Sequence, residues 1–199
     1  MNLIQIGCAG TAIKDIETNQ VSKLFKEESN QVIHLIDANP FALKEFQNNC
    51  KTLSCYSKMK FYNFAVIPID THFPVKFFSP KDSSKSDFSS VDPNHVIAHL
   101  HNAEIDALNI DSISLNSFIR TFVKGDINHL IIDSEGLDAQ LLFSLNFEQI
   151  KPKNIVFEHL HTDGIAQRHI RFDLITKLLT HYKYSIRVWD EYNLIATLT

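Results

Sequence analysis

The segment His129–Asp138, HLIIDSEGLD, constrains the fold more than any other part of the chain. It opens on a short apolar run, which is typical of a buried parallel strand. Asp133, Glu135 and Gly136 follow this run, and a helical pattern begins at Asp138, a residue suited to the N-cap or first turn. In an open α/β sheet, ligands bind where such strands end. The two carboxylates therefore belong either to a site or to an ordinary polar loop.

Length and composition favour one globular domain. The chain has 199 residues, of which 44% are apolar and 21% charged, and we expect a single domain over 1–199. The net charge of −4 does not provide the basic face of a nucleic-acid-binding protein. The sequence contains no run of ~18 apolar residues, so we expect no membrane span. Three cysteines without C-x-x-C spacing, and an N-terminus unlike a signal peptide, predict a cytoplasmic protein. The oligomeric state stays open.

The first 50 residues have the order strand, helix, strand, helix. LIQIG at 3–7 reads as a strand that enters a glycine turn, and a helix-like stretch follows at 14–28. VIHLI at 32–36 is a second apolar run that ends on Asp37, and Pro40 then favours a helix start. This order is typical of a nucleotide-binding half-sheet.

Gly7 and Asp37 are the candidate ligand-binding residues of this half-sheet. Gly7 has no Cβ, so the backbone can approach a ligand closely, and Asp37 is placed to accept hydrogen bonds from two ribose hydroxyls. The G-x-G-x-x-G pattern of dinucleotide sites is absent, and the Gly7–Asp37 spacing exceeds the usual ~20 residues. A nucleoside without pyrophosphate, such as S-adenosylmethionine, therefore fits better. The alternative is a turn glycine and a helix-start carboxylate.

The middle of the chain predicts strands around a long loop. We expect one strand over 59–69, with 73–78 as an extra strand beside it. The Ser-rich stretch 80–94 is loop-like, and a loop of this length is often a lid, so we expect a lid-like insertion around 70–110. A short helix follows from His95, and Ser114 or Asn116 is suited to cap a helix that runs to Phe122.

The last 50 residues complete the pattern. NIVFEHLH at 154–161 predicts a strand, and strand alternation would put His159 and His161 on one side and Glu158 on the other. An amphipathic helix and a terminal antiparallel hairpin follow. The whole order predicts an α/β, Rossmann-like three-layer sandwich of the class I methyltransferase type, with a mostly parallel sheet and a C-terminal antiparallel hairpin.

The same segments resemble the FkbM-type methyltransferases. IIDSEGLDAQLL resembles their Asp-x-Glu-Gly segment at a strand end. Six further segments match the family in order: IQIG at 4–7, LIDANP at 35–40, FSSVDPNHVIAHL at 88–100, SISLNSFI at 112–119, KPKNIVFEHLH at 151–161 and DEYNLIATL at 190–198. Together they span nearly the whole chain.

The resemblance implies transfer of a methyl group from S-adenosylmethionine to a hydroxyl of a sugar, another small metabolite or a glycan. It implies four catalytic residues, of which a histidine near neutral pH is suited to accept the hydroxyl proton: Asp133, Glu135, His159 and His161. It implies nine cofactor-binding residues: Gln5, Gly7, Cys8, Asp37, Ala38, Asn39, Phe64, Ala65 and Asp133. Three residues are assigned to the substrate: Ser89, Ser90 and Glu158.

Departures from the family pattern leave a second function open. Gln5 stands where many methyltransferases have an acid, and Cys8-Ala9 replaces the usual Ala-Asn. A catalytically inactive binding or accessory protein on the same fold is therefore the alternative. The missing third glycine disfavours a nicotinamide-dependent oxidoreductase.

A divalent metal is an additional candidate that we do not favour. Four residues offer the oxygen and nitrogen ligands that Mg²⁺ or Mn²⁺ accepts, but their spacing matches no metal motif: Asp133, Glu135, Glu158 and His161. His95 and His99 have i, i+4 spacing, with His101 nearby. No carboxylate motif accompanies them, so we expect an exposed helix face.

Overall fold

The structure is a computed structural model that describes residues 1–8, 31–70, 73–82, 88–100, 102 and 104–199. Its centre is a seven-stranded sheet. Across the sheet the strands are, in order, β10 (Tyr184–Val188), β11 (Asn193–Leu198), β9 (Asn154–Glu158), β8 (Ile127–Ile132), β1 (Asn2–Ile6), β2 (Val32–Asp37) and β3 (Met59–Asn63). Five neighbouring strands run parallel to one another: β9, β8, β1, β2 and β3. The last strand, β11, pairs antiparallel with both β9 and β10. The predicted mostly parallel sheet with a C-terminal antiparallel hairpin is confirmed.

The sheet strands and the helices have the following bounds. The seven strands are β1 Asn2–Ile6, β2 Val32–Asp37, β3 Met59–Asn63, β8 Ile127–Ile132, β9 Asn154–Glu158, β10 Tyr184–Val188 and β11 Asn193–Leu198. The α-helices among the described residues are α1 Pro40–Cys50, α2 Pro93–His99, α3 Leu115–Phe122, α4 Asp138–Ser144 and α5 Ile170–His181. In the described parts of the chain, no helix is long and apolar enough to cross a membrane.

Apolar side chains cover both faces of the sheet. On one face, α3, α4 and α5 pack against strand residues such as Ile4, Leu130 and Phe157. On the other face, α1 packs Leu43 and Phe46 onto the opposite side of the same strands. Because both faces are buried, the central strands are mostly apolar runs, which is why they are recognisable in the sequence. The helix expected at 14–28 lies outside the described residues.

Strand register brings a glycine and three acidic residues to one edge of the sheet. Ile6 pairs with Ile36 on β2 and with Ile132 on β8, and Ile132 pairs with Phe157 on β9. The next residue of each strand is therefore at the same level, at the carboxyl edge of the parallel sheet: Gly7, Asp37, Asp133 and Glu158. This register, rather than any local motif, assembles the candidate site.

The middle of the chain differs from the expected single strand over 59–69. The chain leaves the main sheet after β3, and β4 Ala65–Ile67 pairs in parallel with β7 Ser112–Ser114. The expected strand at 73–78 forms as β5 Val75–Pro80, but its partner is β6 Ile105–Ile110, in an antiparallel pair. The prediction beside β3 was wrong because pairing of two non-adjacent segments is not encoded in either segment alone.

Helix starts follow the capping chemistry of the sequence. Asn39 accepts hydrogen bonds from the N–H groups of Phe41 and Ala42, with Pro40 in the first helical position. Ser114, one of the two expected caps, accepts from the N–H of Ser117 at 3.1 Å and begins α3. Asp138 is the first residue of α4, as expected.

Candidate active site

An open cleft lies at the carboxyl edge of the parallel strands, with a volume of about 270 Å³. Seven of the nine cofactor-binding residues expected from the sequence line it: Gly7, Asp37, Ala38, Asn39, Phe64, Ala65 and Asp133. Glu135, Ser89 and Ser90 line it as well. Apolar side chains complete the wall, among them Ile36, Val66 and Leu137.

Gly7 lines the cleft at the end of β1, where its backbone lies close to that of Asp133. Its φ of +73° is in the left-handed region, and a Cβ at this position would lie 1.6 Å from the backbone oxygen of Asp133. Two backbone hydrogen bonds hold this approach: Gly7 N–H donates to Ile36 O, and Asp133 N–H donates to Ile6 O. Only glycine fits here, for reasons of both backbone conformation and space.

Asp37 and Asn39 shape the second strand end. Asp37 Oδ1 accepts a hydrogen bond from the backbone N–H of Asn39 at 2.8 Å, and Asn39 then caps α1. Asn63 on β3 donates to the backbone oxygens of Asp37 and Ala38. Asp37 is therefore held by a helix-start turn and also lines the cleft, and hydrogen bonding to ribose hydroxyls stays a prediction.

Gln5 and Cys8, the other two expected cofactor-binding residues, are buried and do not line the cleft. Gln5 is 4% exposed in the middle of the sheet, and Cys8 is fully buried in the core on the α1 face. Burial, followed by the nearby Asp37 carboxylate, raises the pKa of the Cys8 thiol well above its usual value. The thiol therefore stays protonated at neutral pH and behaves as a small apolar side chain.

Asp133 stands at the centre of a group of carboxylates. Burial among protein atoms and then the charge of Glu135 raise its pKa, and Asp138 and Glu158 add to this effect. The Asp133 side chain is also exposed to the cleft, where water opposes the effect of burial. The neighbouring carboxylates are therefore the firmer reason for the raised pKa.

The Asp138 carboxylate accepts hydrogen bonds from residues at the ends of both β8 and β9. Its Oδ2 accepts hydrogen bonds from the backbone N–H and the hydroxyl of Ser134, and its Oδ1 accepts a longer one from the N–H of Glu158 at 3.4 Å. The carboxyl is 4% exposed. Burial raises its pKa to about 6, although the bonds from Ser134 act in the opposite direction. The sequence suggested only a helix-start role for this residue.

Glu135 projects from a turn with unusual backbone geometry. Its φ is +49° and that of Gly136 is +96°, so two consecutive residues are left-handed. Ser90 Oγ donates to the backbone oxygen of Glu135 at 2.8 Å. His95 Nε2 lies 3.0 Å from Glu135 Oε2. The expectation of an exposed helix face at His95 was wrong, because α2 turns this ring inward and leaves it 9% exposed.

Glu158 and His161 contact one another. Oε1 of Glu158 lies 2.9 Å from Nδ1 of His161. Burial, and then Asp138 and Glu135, raise the pKa of Glu158 to about 8. Burial and the nearby rings of His99 and His95 lower the pKa of His161. Both shifts favour an uncharged pair at neutral pH, so the contact differs from an ordinary salt bridge.

His159 points away from His161, contrary to the expected alternation. The strand ends at Glu158 and the chain turns, so the period of two does not continue. His159 is 6% exposed; its Nδ1 lies 3.3 Å from an Arg168 nitrogen and its ring lies near Phe172. Neither His159, His161 nor Glu158 is among the residues that line the cleft.

Two residues of the site, His95 and Asp138, were not assigned to it from the sequence. His95 carried a signal in its i, i+4 relation to His99, but nothing in the sequence indicated contact with a turn 40 residues away. The rings of His95, His99 and His161 lie with centroids 4.3–6.0 Å apart. Across the described residues, no group of three or more His, Cys, Asp or Glu side chains is arranged to hold a metal ion.

Comparison with known families assigns the chain. The model of the methyltransferase FkbM domain matches residues 10–186, which is most of the chain. The chain belongs to the FkbM methyltransferase domain family. The resemblance inferred from seven ordered segments is thus confirmed, and so is its assignment to a methyltransferase family.

A solved structure has the same fold. The crystal structure of methyltransferase FkbM from Methylobacillus flagellatus KT is similar to this chain with a TM-score of 0.51 and 11% sequence identity. The likeness covers 99% of this chain and 44% of that chain, so this FkbM-family chain spans less than half of the length of its structural relative. No curated protein matches the chain significantly.

Proposed function

We propose that this chain is an S-adenosylmethionine-dependent O-methyltransferase that acts on a hydroxyl of a small molecule or glycan. One observation carries the proposal: the strand register of an FkbM-family chain gathers Gly7, Asp37 and Asp133 around one open cleft. Such an open cleft beside Gly7 and Asp37 favours an enzyme over an inactive accessory protein, whose cleft we would expect to be filled by side chains.

The cleft residues fit the cofactor. Asp37 offers a carboxylate to ribose hydroxyls, and Phe64 and Val66 offer an apolar surface to an adenine ring. Gly7 and Asp133 both line the cleft, and we place the amino-acid end of the cofactor beside them. When bound, S-adenosylmethionine supplies a methyl group on a positively charged sulfonium. Because carboxylates surround the site, the cleft suits such a cation better than the pyrophosphate of a dinucleotide.

Two cleft residues take the chemical roles in this proposal. Asp133, at the strand end, orients the acceptor hydroxyl or the amino group of the cofactor. Glu135 reaches the cleft from the next turn and accepts the acceptor's proton. The main contribution of the protein is orientation of the acceptor oxygen. We assign no direct chemical role to Glu158 and His161, which lie outside the cleft lining. In this proposal they form an uncharged pair that packs near Glu135.

The first experiment is calorimetry with S-adenosylmethionine and S-adenosylhomocysteine. We expect both to bind. If neither ligand binds at millimolar concentration, the proposal is refuted. Transfer of a radiolabelled methyl group to a panel of hydroxyl compounds then tests the acceptor class.

Asp133→Ala tests the site itself. We expect turnover to collapse by at least about 100-fold while the fold survives, as for the loss of a positioned polar group in an active site. The matched control is Asp126→Ala, an exposed residue that directly precedes the first residue of β8. Wild-type turnover in Asp133→Ala would remove Asp133 from the site.

A further inference from the structure

The ring of His95 touches the cleft carboxylate Glu135 without lining the cleft itself. Its Nε2 lies 3.0 Å from Oε2 of Glu135. The His95 side chain is 7% exposed, whereas that of Glu135 is 29% exposed and lines the cleft. A buried imidazole that donates to a half-exposed carboxylate fixes the direction of that carboxylate, because such hydrogen bonds are short and directional.

The turn that bears Glu135 is built to admit this ring. A Cβ at Gly136 would lie 2.7 Å from Nδ1 of His95, so a glycine is needed for the ring to pack there. Ser90 Oγ donates to the backbone oxygen of Glu135. Two residues from the same stretch, Ser90 and His95, therefore hold Glu135 by its backbone and by its side chain.

His95 is itself held in place by its own helix. The ring of His99 lies 4.3 Å from that of His95, and His99 Nδ1 lies 3.0 Å from the backbone oxygen of His95. Because Nδ1 of His95 faces Gly136, a ring that carries its proton on Nε2 satisfies the contact with the carboxylate. The ring is thus fixed in position and oriented toward Glu135.

We propose that His95 is a positioning residue that holds the Glu135 carboxylate at the cleft, oriented to take the acceptor's proton. The inference rests on the proposed O-methyltransferase function. In that step the acceptor oxygen forms a bond to the methyl carbon, the electrons of the broken carbon–sulfur bond stay on sulfur, and the hydroxyl proton passes to Glu135. His95 acts only through Glu135 and does not touch the reacting atoms.

The test uses the preference for S-adenosylmethionine over S-adenosylhomocysteine, measured by calorimetry on the full chain. The first ligand carries a sulfonium charge and the second does not, so a carboxylate held nearby favours the first. We expect Glu135→Gln and His95→Ala each to reduce the preference by about threefold or more, even at the dielectric constant of water. His95→Gln retains an N–H donor, and we expect it to restore the preference to within twofold. His181→Ala, on the exposed last turn of α5, is the control.

Each outcome separates the inference from the proposed function. If the wild-type protein binds neither ligand, the proposed function fails and this inference fails with it. If the wild-type binds both and His95→Ala keeps the full preference, only the inference is overturned. Equal loss in His95→Ala and His95→Gln would show that the ring merely packs, and would also overturn it.

A spectroscopic measurement covers the case in which His95→Ala does not fold. In protein with ¹⁵N-labelled histidine, we expect the ring nitrogens of His95 to change their chemical shifts between wild type and Glu135→Gln, with S-adenosylhomocysteine present. We expect the exposed ring of His181 to keep its shifts. Unchanged His95 shifts would show that no bond links the two side chains and would refute the positioning role.

Discussion

Substitution of Gly7 by alanine is the sharpest test of how the cleft is built. The added methyl group would lie 1.6 Å from the backbone oxygen of Asp133, so the ends of β1 and β8 must separate. The separation breaks the hydrogen bond from Asp133 N–H to Ile6 O, and disturbs that from Gly7 N–H to Ile36 O. We therefore expect Gly7→Ala to damage both stability and ligand binding.

The expected magnitude follows from three contributions. A non-glycine residue in the left-handed region costs about 1–2 kcal/mol. Each buried backbone group that loses its partner adds about 1–3 kcal/mol. The sum, about 3–8 kcal/mol, is comparable with the whole stability of many domains. Urea unfolding followed by circular dichroism measures the change in the free energy of unfolding.

Gly125→Ala is a matched control for this substitution. Gly125 also has a left-handed φ, +83°, but a Cβ there would meet nothing within 4 Å. We expect it to lose only the conformational contribution, about 1–2 kcal/mol. If the two variants have the same free energy of unfolding within about 0.5 kcal/mol, the close approach of Gly7 to Asp133 is not a real constraint, and our account of the cleft floor is wrong.

Two further predictions concern the buried carboxyl groups. The pKa of Glu158 is raised to about 8, so its contribution to stability is full below its unfolded pKa and is lost as pH rises through 8. Glu158→Gln cannot ionise and does not suffer this loss. Its free energy of unfolding relative to wild type should therefore rise by on the order of 3 kcal/mol between pH 5 and pH 9, as measured by thermal or urea unfolding. Asp138→Asn replaces one of the two carboxylate oxygens by an NH2 group, so the N–H of either Ser134 or Glu158 loses its acceptor, and we expect a loss of about 1–3 kcal/mol at pH 7 in urea unfolding.

Matched surface substitutions control both measurements. Glu45→Gln, on the exposed face of α1, should show no growing difference from wild type between pH 5 and 9. Asp173→Asn, in the exposed first turn of α5, should change stability by less than about 0.5 kcal/mol. A pH-independent difference for Glu158→Gln would contradict the burial argument for Glu158. A neutral Asp138→Asn would contradict the hydrogen-bonding role of the Asp138 carboxylate.

The sequence by itself determined the central strands, the helix starts and the edge of the sheet that carries the cleft. Mostly apolar runs such as VIHLI are recognisable because a parallel strand buried on both faces carries few polar side chains, with buried His34 as the exception in this run. Helix starts at Pro40 and Leu115 followed from local capping, which involves neighbours in sequence. The family resemblance followed from the order of these segments.

Tertiary structure decided the pairings that no local pattern encodes. The partner of β5 is 30 residues away, and the contact of His95 with Glu135 joins residues 40 positions apart. The turn after Glu158 separated His159 from His161, although strand alternation would have put them together. Long-range contacts depend on how whole elements pack, so Glu135 was visible in the sequence as a candidate catalytic residue, while its contact with His95 was not.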